Sequence, residues 1–160
     1  MEKFKIVPLS AEYASKIKKT FKDDFGHDVV EQLATGVGPC RVSLKPFHVG
    51  QDVRLLFCYS PFEIDNAFNQ RGPVFIHKME VEAYNDVYRF PPEIKADKRN
   101  FPLSLIGYSK EQKMVFTKLV GDADIDNLII ETFEKHAEIE YLHARNAEAC
   151  CYICKIERVS

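Results

Sequence analysis

Tryptophan is absent from this chain, glycine is sparse at seven residues in 160, and no segment is repetitive or of low complexity. Repeat architectures and long flexible tracts are therefore excluded. Long apolar runs are missing as well. None approaches the ~18 residues needed to cross a bilayer, and the opening MEKFKIVPLSAEYASK lacks the apolar centre of an export signal. A cytoplasmic location without membrane contact is expected. Neither sign of charge prevails: 22 Lys and Arg stand against 24 Asp and Glu, a net charge of −2. A nucleic-acid partner would call for a basic stripe. The one small cluster, KIKK from Lys16, is followed by KDD and has the mixed charge of a solvated helix face, so no nucleic-acid partner is expected.

Several chemical signatures are missing too. There is no G-x-S-x-G, no P-loop and no G-x-G-x-x-G; GVGPC lacks the third glycine and leads into an extended stretch, not a helix. No cofactor is expected. The spacing places no Asp or Glu to complete a Ser–His–Asp arrangement. Five cysteines, an odd number without an export signal, read as free thiols. CCYIC contains Cys151-x-x-Cys154, but Tyr152, Ile153 and Ile156 favour a strand, on which residues three apart face opposite ways about 10 Å apart along the chain. Without a second C-x-x-C, no metal site is expected. Adjacent Cys150 and Cys151 also face opposite ways.

What is present suits one domain spanning residues 1–160. Apolar residues make up 46%, and a chain of this length buries roughly 70% of its unfolded surface around a single core. FKIVPL reads as a strand stopped by Pro8. Ser10 caps a helix predicted over Ala11 to Phe25, with Ala14, Ile17, Phe21 and Phe25 as its apolar stripe and Gly26 as its stop. CRVSL alternates as a strand. DVRLLFCY and PVFIHK are strands separated by SPFEIDNAFNQRG. RFPPEIKADKRNFP reads as a long surface connection. FPLSLIGY and QKMVFTKLV form a hairpin around SKEQK, and Asp124 caps a helix with Ile125, Leu128, Ile129, Phe133 and His136 on one stripe. EIEYLHAR and CYICKIER close the chain as strands around NAEA. The predicted class is α+β: a mostly antiparallel, curved or barrel-like sheet of about seven strands with two helices, the first ~35 residues packing on the sheet.

Alternation along the penultimate strand places Tyr141, His143 and Arg145 on one face, with Leu142 and Ala144 on the other. Arg41 and Ser43 make a similar polar face, and His77 ends PVFIH. If these faces line one concavity, Arg41 and Arg145 would hold a carboxylate or phosphate through paired hydrogen bonds. His143 would transfer a proton near neutral pH, with His77 supporting it. The alternative is a solvated sheet face where the same residues meet water.

GPCRVSL, GQDVRLLFCYSPF, RGPVFIH and YLHARNAEACCYICKIER follow one another in this order. Together with FPLSLIGYSKEQKMV they resemble an uncharacterised bacterial family, domain of unknown function 1203, from about Pro39 to Arg158. The resemblance implies a single-domain cytoplasmic protein and no particular reaction. It carries over Cys40, Arg41, His77, His143, Arg145 and Asn146 as motif positions. Two functional readings follow. One is an enzyme or binder of a small anionic metabolite, with Cys40, Tyr141 and Asn146 in support. The other is a non-catalytic interaction domain, with a second copy of the chain as its partner.

Overall fold

The computed structural model describes residues 1–159. Among them the elements run β1 (Phe4–Val7), α1 (Ala11–Thr20), β2 (Val30–Leu33), β3 (Val53–Tyr59), β4 (Gly72–His77), α2 (Pro92–Lys95), β5 (Leu103–Tyr108), β6 (Met114–Leu119), α3 (Ile125–Lys135), β7 (Tyr141–Asn146) and β8 (Tyr152–Arg158). The class is α+β. In place of one barrel-like sheet there are two antiparallel sheets, ordered β1-β8-β7-β5-β6 and β2-β3-β4.

The larger sheet buries one face beneath α3. Leu103, Leu105, Leu142, Ala144, Cys154 and Ile156 meet Ile125, Ile129 and Phe133 of the helix. Each Leu, Ile or Phe among them contributes roughly 1.5–3 kcal/mol when fully buried. Asp124 caps α3 by accepting the Asn127 N–H at 3.0 Å. The smaller sheet has its own core, where Leu55, Phe57, Val74 and Ile76 pack with Ala14 and Ile17 of α1.

Three expectations need correction. The first helix ends at Thr20, five residues early. Phe21 takes a left-handed conformation (φ 53°), and the Asp23 carboxylate collects the N–H groups of Phe25, His27 and Cys58 at 2.8, 3.0 and 3.0 Å. That local competition for backbone donors stops the helix before Gly26. CRVSL is not a strand: Cys40 makes one bridge to Phe75, and a turn follows. RFPPEIKADKRNFP is not a surface connection. It contains the single-turn α2 and sends Phe90, Ile94 and Phe101 into the core under α3. This short helix and the unforeseen β2 bring the described elements to three helices and eight strands.

A bulge shapes the site. The β7–β8 register pairs Ala144 with Cys154 but Arg145 with Tyr152, leaving Ile153 as the extra residue. Ile153 and Cys154 both enter the core, so Tyr152 is returned to the opposite face beside His143.

Candidate functional site

The second face of the large sheet carries Tyr108 from β5, Tyr141, His143 and Arg145 from β7, and Tyr152 from β8. The register places Tyr108 opposite Tyr141 and Ile106 opposite His143. Four aromatic rings surround the His143 imidazole at centroid distances of 4.8 Å (Tyr108), 4.9 Å (Tyr152), 5.2 Å (Tyr141) and 5.2 Å (Phe62). Phe62 comes from the β3–β4 loop, residues 60–71, which folds over this face. Gln112 in the β5–β6 turn holds the loop down: its Oε1 accepts the N–H groups of Glu63 and Ile64 at 3.0 and 2.9 Å.

His143 is 0% exposed and Arg145 5%. The Arg145 Nη1 donates to the Cys150 carbonyl at 3.1 Å, which fixes the guanidinium. Its Nε and Nη2, both His143 nitrogens and the Tyr141 hydroxyl are buried without any hydrogen-bond partner among the described residues, and the buried Tyr108 hydroxyl has only the Arg145 guanidinium beside it. Native interiors leave few such atoms, and each costs about 1–3 kcal/mol when unsatisfied. No carboxylate pairs with Arg145 among the described residues. Burial, followed by the charges of Arg145 and Lys155, drives the His143 pKa well below its ordinary value, so the ring is neutral and donates from one nitrogen. Burial pushes the Tyr141 phenol up to about 12. It also raises that of Tyr108, against the pull of the adjacent Arg145 guanidinium. Both phenols are therefore protonated donors.

A second polar cluster lies around Cys40, in the turn after β2. Gly38 precedes it at φ 91°, where a Cβ would lie 2.4 Å from the Phe47 ring, so the close approach requires glycine. The Cys40 side chain is fully buried. Its Sγ accepts the His77 backbone N–H at 3.4 Å, and the N–H and hydroxyl of Ser43 also face it. The His77 ring reaches Asp52 through Nε2, 3.3 Å from Oδ2, leaving Nδ1 toward the sulfur. Burial alone would raise the Cys40 pKa. The hydrogen bonds from His77 and Ser43 outweigh it and bring it down to about 7. The hydrogen bond to Cys40 leads the causes that raise His77. Asp52 thus completes a Cys–His–Asp arrangement, a different set from the Ser–His–Asp pattern sought in the sequence. Cys40 and Asp52 lie in the loop between β2 and β3, and His77 ends β4; that separation hid the set from linear spacing.

The motif residues therefore divide between two places. Tyr141, His143 and Arg145 come together under the β3–β4 loop, and Cys40 and His77 around the buried sulfur. Arg41 lies between them. It is buried, donating from Nε to the Tyr152 carbonyl at 2.7 Å and from Nη1 to that of Pro39, with burial lowering its pKa to about 10. Asn146 organises the β7–β8 turn, its Oδ1 accepting the N–H groups of Glu148 and Ala149, each at 2.8 Å. The sequence reading missed Tyr108, Tyr152, Phe62 and Asp52. Only Tyr108 had a legible signal, since alternation along Leu103, Leu105 and Gly107 puts it on the face opposite the core. A cavity of about 710 Å³ lies elsewhere, between α2 and the start of α3; its Lys95 is already paired with Asp124 and Asp126.

These features define an α+β protein of two antiparallel sheets, with a buried polar face closed by a loop and a thiol cluster behind it. Residues 37–158 match the family model described as Protein of unknown function (DUF1203), and the chain belongs to that family. The matched region contains both clusters, while β1, which pairs with β8, lies outside it. Neither the curated proteins nor the solved structures provide a match.

Proposed function

We propose that the chain binds a small anion, a carboxylate, sulfate or phosphate, on the enclosed face of the large sheet, with Arg145 as its principal ligand. The carrying observation is the set of buried polar atoms without partners on Arg145, His143 and Tyr141. All but one nitrogen of the neutral imidazole are donors. A buried guanidinium without a counter-charge is costly, and an anion at Nε and Nη2 removes that cost through a forked, charge-assisted contact. Tyr108 and Tyr141 would donate to the remaining oxygens. His143 binds or donates to the anion in its neutral form. Phe62 excludes water, and opening of residues 60–71 admits the ligand. Arg41 acts indirectly by holding the Tyr152 carbonyl. The five free cysteines suit a reducing, cytoplasmic setting.

Thermal-shift titrations with acetate, sulfate and phosphate at constant ionic strength test this reading. Arg145→Ala is expected to weaken binding on the order of ten- to a hundredfold, the equivalent of a charged hydrogen bond worth about 1.5–3 kcal/mol. Arg145→Lys should restore only part of it, since an ammonium makes no forked contact. Tyr141→Phe removes a hydroxyl that no described protein group uses, so it should fold normally and bind more weakly. Equal anion-induced shifts in all four proteins would sink the reading.

The alternative, an interaction domain that pairs with a second copy, draws on β6. This edge strand leaves Val115 and Leu119 exposed, and exposed edges invite pairing. Sedimentation of the wild type and Leu119→Lys would detect such a dimer.

A further inference from the structure

The Cys40 cluster belongs to no part of the anion site. Its sulfur is held in a setting that stabilises a thiolate: the His77 N–H at 3.4 Å, the N–H and hydroxyl of Ser43, and a nearby buried guanidinium, Arg41, that has Cys40 among the groups acting on it. The sulfur is the one polar neighbour of two buried atoms. His77 is 8% exposed and Ser43 6%; the His77 Nδ1 and the Ser43 Oγ are both buried and have no partner apart from Cys40 among the described residues. Asp52 fixes the far side of the imidazole through Nε2 at 3.3 Å and accepts the His48 N–H at 2.7 Å. Asp52 therefore orients the ring so that Nδ1 can take up or return a proton at the sulfur. An activated thiol needs a neighbouring base, and the base needs an orienting group; this cluster contains both.

Size narrows the electrophile. The Cys40 side chain has no exposed surface, so a peptide or a bulky acyl group cannot reach it in the folded protein. A cavity of about 290 Å³ has Ser43 in its wall. A hydroperoxide is small and uncharged, and its oxygens can use the donors that surround the sulfur.

We propose that Cys40 is a nucleophilic thiol that reduces a small hydroperoxide, with His77 as its proton carrier and Asp52 as the residue that positions His77. The thiol proton moves to the His77 Nδ1. The thiolate attacks the terminal oxygen of ROOH; the S–O bond forms as the O–O bond breaks. The departing alkoxide, or hydroxide from hydrogen peroxide, takes the proton back from His77. Cys40 is oxidised to the sulfenic acid and ROOH is reduced to ROH, so the sum is thiol plus ROOH giving sulfenic acid plus ROH.

The test exposes the full folded chain to hydrogen peroxide, quenches at intervals, denatures, alkylates the remaining thiols and follows each cysteine by peptide mass spectrometry. Cys150, exposed at the β7–β8 turn, is the internal reference. Cys40 is expected to gain one oxygen at least tenfold faster than Cys150 despite its burial. His77→Gln should slow Cys40 at least tenfold and leave the Cys150 rate unchanged. Asp52→Asn should slow Cys40 less and move its rate profile along the pH axis, an effect that a purely structural role would not produce. Oxidation of Cys150 first, with Cys40 reduced until the protein unfolds, overturns the proposal on wild-type protein alone. Acetyl transfer from a small activated ester to Cys40, without oxidation by peroxide, overturns the hydroperoxide assignment.

Discussion

The imidazole of His143 makes stability depend on pH in a direction the structure dictates. It is fully buried among Tyr108, Tyr141, Tyr152 and Phe62, and the nearby cations are Arg145 and Lys155. Burial first, and those charges second, place its folded pKa well below the ordinary value. In the unfolded chain it titrates near 6.5. Below that pH the unfolded state binds a proton that the folded state refuses, so stability falls as pH falls. If the folded ring stays neutral down to pH 5, the loss between pH 7.5 and pH 5.0 is about 2 kcal/mol, with a limiting slope of about 1.4 kcal/mol per pH unit. His143→Phe keeps a ring of similar size and removes both nitrogens. Urea unfolding of wild type and variant, from pH 5 to 8 in buffers without small carboxylates or phosphate, isolates the term. All other groups, including His77 with its raised pKa and opposite sign, are common to both proteins. The wild type is expected to lose about 2 kcal/mol more than the variant on acidification. At pH 7.5 the variant should be as stable or more so, since two unpartnered buried nitrogens are gone. Parallel profiles would refute the placement of a neutral His143 in the interior.

Two further outcomes follow from groups outside the sites. The Asp23 carboxylate is buried; burial opposes its charge, but three backbone N–H groups and His27 outweigh that and hold its pKa down to about 2. Asp23→Ala should cost about 2–4 kcal/mol in urea unfolding at pH 7, because it orphans donors that hold the end of β3. The carboxylate's contribution is present above its unfolded pKa near 3.9 and fades as pH falls toward 2. Arg158 donates to the carbonyls of Ile139, Phe133 and His136 at 2.7, 2.8 and 2.6 Å, closing the C-terminal end of α3. Arg158→Ala is expected to cost about 2 kcal/mol by the same measurement and to speed amide exchange in the last turn of the helix, since its carbonyls lose their donors. Unchanged exchange there would argue against the cap.

Much of the architecture is written locally and was therefore legible. Ser10 and Asp124 cap their helices because a short oxygen-bearing side chain ahead of an apolar stripe satisfies exposed N–H groups. Alternation in DVRLLFCY and YLHAR fixes which side chains face the core, and the hairpin around SKEQK follows from two apolar runs separated by a polar turn. The shared face of Tyr141, His143 and Arg145 needs nothing beyond the two-residue period of a strand. Other features depend on partners distant in the chain. RFPPEIKADKRNFP looks polar in sequence, yet Phe90, Ile94 and Phe101 find a core beneath α3. Tyr152 joins the His143 face only because a bulge absorbs Ile153. Cys40, Asp52 and His77 meet because β3 and β4 pair in one register, with Arg54 opposite His77, and the Cys40 turn bridges to Phe75. Periodicity records what a single element presents, so the sequence determined the faces. Only the packing of one element on another decided that Arg145 is buried without a counter-charge among the described residues and that Cys40 has a histidine and an aspartate behind it.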